Sequence, residues 1–140
     1  MSRIFWDTNL FIYLLEDYGT LSARVRSLRE RMIERGDQLL TSTLTLGELL
    51  VKPTEKGAVD VCRHYEQTLA NWAILLPFDA KAATYYARIR CDRSIRAPDA
   101  MQLACAGAAR VDLFITNDER LQSKRVDGVQ FLTSLRGAPL

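Results

Sequence analysis

The chain has 140 residues, 48% of them hydrophobic and 26% charged, and its formal net charge is +2. These values fit one globular domain with a full core, and they exclude a strongly basic protein that binds nucleic acid through overall charge alone. No apolar run approaches the roughly 20 residues that a membrane-spanning helix needs, and the N-terminus lacks a secretory signal, so we expect a soluble, cytoplasmic protein with no membrane partner.

The first half of the chain alternates short apolar strands with amphipathic helices. Residues 4–6 form an apolar, aromatic run that is typical of a buried strand, and Asp7 follows it directly. Ser22 is expected to cap the second helix, Gly36 to end it, and Pro53 to end the third. The predicted helices of this half cover residues 10–15, 22–35, 43–51 and 58–72, and a further strand covers residues 38–41.

The second half continues the same alternation. Asp79 is expected to cap one helix, and Pro98 suits the first position of another, which places Asp99 in its first turn. The predicted strands cover residues 73–76, 111–115 and 129–132, the helices cover 79–90 and 98–109, and the tail from about residue 137 is expected to be loose. The alternation predicts an α/β sandwich with a mainly parallel sheet, in a single domain spanning residues 1–140.

Four acids have settings that suit one edge of this sheet. Asp7 and Asp118 each follow an apolar strand, and their carboxylates emerge at the same edge if the two strands are parallel neighbours. Glu48 lies within an otherwise apolar helix and Asp99 lies at the start of another, so both are placed to lean over that edge. The pattern predicts a pocket of four carboxylates.

Each acid taken singly has a simpler structural explanation. Asp7 and Asp118 are good helix N-caps, Asp99 is favourable near a helix N-terminus, and Glu48 suits a solvent-facing helix position. Taken together, however, four carboxylates in one cleft would repel one another unless a cation neutralises them. Oxygen ligands of this kind favour Mg²⁺ or Mn²⁺, which in turn indicates chemistry on phosphodiesters.

Other catalytic chemistries lack their residues. His64 is the one histidine, which excludes a ribonuclease that uses paired histidines, and no Gly-x-Ser-x-Gly nucleophile turn or glycine-rich phosphate loop is present. The three cysteines are odd in number and widely spaced, so a zinc ribbon or a redox dithiol is excluded and free thiols are expected.

At these residues the chain resembles the PIN-domain ribonucleases, in particular the VapC toxins of bacterial toxin–antitoxin pairs. The resemblance covers nearly the whole length and rests on four short motifs in a fixed order. They are Asp7-Thr8-Asn9 after the first strand, Glu48 in the helix after the second, Ala97-Pro98-Asp99-Ala100, and Ile115-Thr116-Asn117-Asp118. It implies a PIN-like α/β/α sandwich around a mainly parallel sheet of about four or five short strands.

The resemblance also implies an activity and partners. It implies a Mg²⁺- or Mn²⁺-dependent endoribonuclease, in which metal-activated water cleaves RNA, and a homodimeric toxin that a VapB-like antitoxin inhibits. Asp7, Asp99 and Asp118 would bind the metal, and Glu48 would do so directly or through water. Groups that would orient these carboxylates or water are Thr8, Thr116 and Asn117, and candidates for gripping the RNA backbone are Arg88, Arg90, Arg93, Arg96 and Arg120.

Several alternatives stay open at this point. A PIN-fold module could bind RNA or a partner protein without cutting, although the intact acids count against it. A phosphatase with Asp-x-Asp after its first strand is disfavoured, because Asn9 stands where the second Asp would be. Thr8 could serve only to cap a helix, and each arginine could be an ordinary solvated charge.

Overall fold

A computed structural model describes residues 1–140 and contains a sheet between two layers of helices. The strands are β1 (Arg3–Trp6), β2 (Gln38–Ser42), β3 (Ile74–Leu76), β4 (Leu113–Ile115) and β5 (Phe131–Thr133). The helices are α1 (Thr8–Leu15), α2 (Thr20–Arg35), α3 (Thr43–Glu55), α4 (Val59–Trp72), α5 (Ala80–Ile89) and α6 (Ala97–Ala108). None of these helices is long and apolar enough to cross a membrane.

The sheet has the strand order β3-β2-β1-β4-β5, and every pair of neighbours is parallel. Strand β1 is therefore central, with Phe5 opposite Leu40 on one side and Phe114 on the other. This position explains the apolar run at the start of the sequence, because a central strand is covered on both faces. The predicted neighbours β1 and β4 do lie side by side, so their carboxyl ends share one edge.

The two faces of the sheet bury two separate clusters of apolar side chains. Ile4 and Trp6 face a cluster with α1, α2, α3 and α4, whereas Phe5 faces a cluster with α5 and α6. On the second face the rings of Phe5 and Phe114 stack with their centroids 4.9 Å apart. The fold is the predicted α/β/α sandwich.

Several predicted details of the elements were wrong. Helix α2 begins at Thr20, and the Ser22 hydroxyl accepts from the Tyr18 amide and donates to the Glu16 carbonyl instead of capping the helix. Helix α3 continues past Pro53 to Glu55, because a proline in the last turn removes only one of the remaining backbone hydrogen bonds.

The end of the chain also differs from the prediction. Strand β5 begins two residues later than predicted, because the Val129 amide closes a turn on the Val126 carbonyl. The tail from about residue 137, which was expected to be loose, contains no helix or strand, and Ala138 and Leu140 pack against the first apolar cluster.

Helix α6 meets the turn before β5 at unusually close range. A Cβ atom added at Gly128 would lie 2.1 Å from the Gly107 carbonyl oxygen, and one added at Gly107 would lie 2.5 Å from the Asp127 carbonyl oxygen. Gly128 also has φ of +82°, a left-handed conformation that side chains disfavour. Only glycines allow this close approach.

We predict that Gly128→Ala lowers the free energy of unfolding by about 3 kcal/mol or more, because the added methyl combines backbone strain with a clash against main chain. Gly57→Ala is the matched control, since Gly57 has a φ of +65° with nothing within 4 Å of the added atom. It should cost only about 1–2 kcal/mol. Urea unfolding measures the free energy of unfolding of both variants. An equal decrease in the two variants would contradict the close approach of Gly128 to Gly107.

Candidate active site

Asp7 lies where the central strand ends and α1 begins. It caps α1 by accepting a hydrogen bond from the Thr8 amide (2.8 Å), and it accepts a second one from the Thr116 hydroxyl (2.7 Å). Only 7% of the residue is exposed. Burial raises the pKa of Asp7 to about 6; the two hydrogen bonds oppose this effect, and the negative charges of Asp99 and Glu48 add to it.

Thr116 joins the ends of β1 and β4. Its buried hydroxyl donates to Asp7 and accepts from the Asp118 amide at 3.1 Å, with the Asn9 amide group more distant at 3.4 Å. This one hydroxyl therefore fixes the backbone of Asp118 relative to the Asp7 carboxylate. Thr116, which was expected to orient a carboxylate or water, thus contacts the carboxylate of Asp7, and its role in a reaction stays a prediction.

The carboxylates of Asp118 and Asp99 each contact an arginine of the same chain. Arg120 binds both oxygens of Asp118, with distances of 2.9 Å from Nε to Oδ1 and 2.6 Å from Nη2 to Oδ2. This contact holds the pKa of Asp118 below its usual value. Asp99 has a longer contact of 3.4 Å with Arg96. Asp7 and Glu48, by contrast, have no basic partner.

Glu48 is positioned by hydroxyl and amide groups beneath it. The Thr8 hydroxyl donates to Oε1 of Glu48 at 2.9 Å, and the Gln102 amide approaches the same oxygen at 3.4 Å. Glu48 is solvent-exposed, as expected for its helix position, but one of its oxygens is held. Thr8 therefore contacts two of the four acids, because its amide donates to Asp7 and its hydroxyl donates to Glu48.

The sequence-based reasoning missed Gln102, which is 2% exposed and central to the polar network. Its amide nitrogen donates to the hydroxyls of Thr8 (3.1 Å) and Thr45 (2.8 Å), and its oxygen accepts from the Ser42 hydroxyl. A signal was present, because Gln102 lies three residues after Asp99 on an otherwise apolar helix, and positions three apart share a face. A buried amide of this kind must find partners, and it finds them under Glu48.

Asn117 does not contact the carboxylates. Its backbone amide donates to Oδ1 of Asn9 at 3.2 Å, and its side-chain amide donates to the Tyr13 hydroxyl at 3.2 Å. These bonds tie the loop after β4 to α1. In this structure Asn117 fixes the loop that carries Asp118, and the expectation that its side chain orients a carboxylate finds no matching contact.

The five arginines proposed to grip RNA divide into two groups. Arg96 and Arg120 contact candidate-site acids, as described above. The other three have no ion pair with those acids. Arg88 pairs with Asp127 (3.9 Å) and lies over the Tyr85 ring (5.3 Å), Arg90 donates to the Ile95 carbonyl (2.7 Å), and Arg93 is exposed without an ion pair. Arg90 therefore has a structural partner.

The acids that were assigned only structural roles keep them. Asp79 caps α5 by accepting from the Ala82 amide at 2.9 Å, and Asp37 accepts from the Ser2 amide at 2.7 Å. His64 is exposed on α4, and the three cysteines are free thiols, with Cys105 buried in the core.

The donor set of the candidate site suits a hard divalent cation, because it consists of carboxylate oxygens around a buried Asp7 that lacks a positive partner. In this structure, however, no three acid, histidine or cysteine side chains lie close enough together to hold a metal ion.

The chain matches the family model of the PIN domain over residues 4–127, and it belongs to the PIN domain family. No curated protein matches the sequence significantly. The match to the PIN family model confirms the predicted family, and the parallel sheet between helices confirms the predicted fold.

Solved structures with a similar fold include two VapBC structures and FitAcB. VapBC2 from Rickettsia felis, bound to a DNA fragment from their promoter, is 17% identical with a TM-score of 0.75, over 94% of this chain and 98% of that chain. DNA-bound VapBC from Salmonella typhimurium is 19% identical with a TM-score of 0.73, over 96% and 99%. FitAcB from Neisseria gonorrhoeae is 26% identical with a TM-score of 0.63, over 82% and 87%.

The raised pKa of Asp7 predicts how stability depends on pH in EDTA. Because the folded state holds this proton up to a pKa of about 6 against 3.8 when unfolded, the contribution to stability is complete below pH 3.8 and is lost as pH rises through 6. Asp7→Asn removes the charge and keeps one carbonyl oxygen, which can accept from the Thr8 amide. Its NH₂ group then faces the Thr116 hydroxyl, which can accept from it instead of donating. The variant should raise the free energy of unfolding at pH 7 by up to ~3 kcal/mol and change it little at pH 4.

Urea unfolding of the wild-type chain and of Asp7→Asn at both pH values measures this difference. A variant that is less stable than the wild-type chain at pH 7 would instead show that Asp7 serves the fold mainly as a charged helix cap.

Proposed function

We propose that this chain is a Mg²⁺- or Mn²⁺-dependent endoribonuclease that acts as the VapC-like toxin of a toxin–antitoxin pair. The observation that carries the proposal is the buried carboxylate of Asp7, which faces the charges of Asp99 and Glu48 and has no basic partner. A site that concentrates negative charge in this way is suited to a cation and, through it, to a phosphate group.

In this proposal Asp7, Asp99 and Asp118 hold the metal ion. When bound, the ion supplies Lewis acidity, which activates water and stabilises the charge that develops on the phosphate. Asp7 is held in place by the Thr8 amide and the Thr116 hydroxyl, and the same hydroxyl fixes the backbone of Asp118. Asp7 has no basic partner in the chain, so its carboxyl would be held deprotonated only with a bound cation beside it.

Glu48 has a different role in the proposed reaction. One of its oxygens accepts from Thr8, which leaves the other free to orient a water molecule or the ion's hydration shell. The network of Gln102, Thr8 and Thr45 beneath it limits the rotation of its side chain. Glu48 thus positions water while the three aspartates provide the cation site.

The proposed partners rest on the likeness to structures of VapBC complexes, which extends over almost the whole of this chain. We infer a VapB-like antitoxin as the protein partner, RNA as the substrate and a homodimer as the assembly. These partners follow from the proposed toxin role and are tested together with it.

One observation favours a second candidate, a non-catalytic PIN module that binds RNA or a protein. The acids of the site do not form a group of three that could hold a metal ion, and two of them are engaged by arginines. A module of this kind would retain RNA binding but show no dependence on a divalent cation.

Cleavage of total cellular RNA by the purified chain separates these candidates. With Mg²⁺ or Mn²⁺ we expect discrete fragments, and with EDTA we expect none. Asp99→Asn should lower the cleavage rate by ~100-fold or more, because it removes a charge from the cation site. The matched control is Asp79→Asn, which changes an acid of similar local setting that caps α5 and should cut at the wild-type rate.

Intact RNA with every cation, from folded protein without antitoxin, would support the non-catalytic module. Cleavage that persists in EDTA or in Asp99→Asn would contradict the proposed role of the acids.

The contact between Arg120 and Asp118 predicts a competition for the cation site. Because Arg120 occupies both oxygens of Asp118, Arg120→Gln should free this carboxylate and tighten Mn²⁺ binding. The expected gain is about two- to fivefold in affinity, as suits a partly exposed ion pair. Isothermal titration with Mn²⁺ measures it without any substrate.

Arg93→Gln is the control for the loss of one positive charge, because Arg93 is exposed and forms no ion pair. Affinity for Mn²⁺ that stays equal in the two variants would show that Arg120 does not compete with the cation.

A further inference from the structure

Basic side chains without a partner lie beside the candidate site at a place that the sequence did not suggest. A cavity of about 290 Å³ is lined by Thr20, Leu21, Arg24, Asn117, Leu135 and Arg136. It brings together the start of α2, the loop after β4 and the segment after β5. Residues that are more than 110 positions apart in the sequence thus form one surface.

The two arginines that line the cavity have no counter-charge within it. No acid lines it, and the ion pairs of the structure involve neither Arg24 nor Arg136. Neither side chain takes part in a side-chain hydrogen bond. Arg90, Arg96 and Arg120 each do, and Arg88 has an ion pair with Asp127. Two free guanidinium groups in one concavity suit a phosphate, which accepts hydrogen bonds from both.

The cavity is fixed relative to the carboxylates. Asn117, which lines it, immediately precedes Asp118 and is tied to α1 through Asn9 and Tyr13. The cavity therefore adjoins the loop that carries Asp118.

An aromatic side chain near the cavity favours a nucleic acid strand over an isolated anion. Tyr18 is 45% exposed and lies two residues before Thr20. Its ring packs edge-on against Tyr13, with the centroids 5.3 Å apart. Exposed aromatic rings beside cationic grooves stack the bases of single-stranded RNA, while the cations hold the backbone.

We propose that the Arg24–Arg136 cavity binds a backbone phosphate of single-stranded RNA that flanks the bond to be cut. This inference rests on the proposed function. It places a second contact with the substrate strand outside the carboxylate site. Arg24 and Arg136 therefore contribute to affinity for RNA, whereas the four acids contribute to cleavage.

Binding without cleavage tests the proposal. The anisotropy of a fluorescein-labelled single-stranded RNA is measured in EDTA, with the wild-type chain and with the double variant Arg24→Ala/Arg136→Ala. We expect affinity to fall by about tenfold or more, and the slope of log affinity against log salt to fall by about 0.7 for each phosphate that the variant no longer binds. Inorganic phosphate should compete weakly for the wild-type site.

The matched control is Arg26→Ala/Arg31→Ala, which removes two exposed charges from the same helix outside the cavity. Its affinity should stay within about twofold of the wild-type value. An equal loss in both double variants would overturn the proposal, because it would show a general effect of charge. Unchanged binding in Arg24→Ala/Arg136→Ala, or no RNA binding by the wild-type chain, would also overturn it.

This result is separable from the proposed nuclease activity. Binding that depends on Arg24 and Arg136 in a chain that cuts no RNA would support the cavity and reject the nuclease. Metal-dependent cleavage, together with RNA affinity that is unchanged in Arg24→Ala/Arg136→Ala, would support the nuclease and reject the cavity as an RNA site. Circular dichroism shows whether each variant is folded before its affinity is compared.

Discussion

The burial of β1 at the centre of the sheet is the constraint on which the rest of the site depends. Covered on both faces, this strand ends at a carboxylate that is itself almost buried, and the cost of its charge appears as the raised pKa of Asp7. Hydrogen bonds from Thr8 and Thr116 fix the carboxylate but do not remove that cost. This buried carboxylate without a basic partner is the feature on which the proposed cation site rests.

The other acids show how the same protein manages charge where solvent and arginines are available. Asp118 and Asp99 lie farther out and contact Arg120 and Arg96, while Glu48 is exposed and held through a network that includes Gln102. The site thus combines one buried acid without a basic partner and three acids that can exchange their present contacts. This arrangement fits a site that gains its ligand from outside the chain.

The sheet and the positions of Asp7 and Asp118 after two neighbouring strands were predictable, because they depend on local patterns. An apolar run followed by Asp7 indicates both a buried strand and the edge where it ends, and the same pattern recurs at Asp118. Gln102 and the Arg24–Arg136 cavity were not predicted, because their meaning depends on which distant segments meet. The pairing of Arg120 with Asp118 likewise depends on side-chain geometry that spacing does not specify.

Anomalous diffraction from crystals of the chain grown with Mn²⁺ tests the central claim most directly. The proposal predicts a manganese peak at the carboxyl ends of β1 and β4, with oxygens of Asp7, Asp99 and Asp118 about 2.0–2.4 Å away. Arg120 should be displaced from at least one oxygen of Asp118. Crystals with Mn²⁺ that show no peak at this edge, with Arg120 still bound to both oxygens, would contradict the assignment of these acids to a metal site.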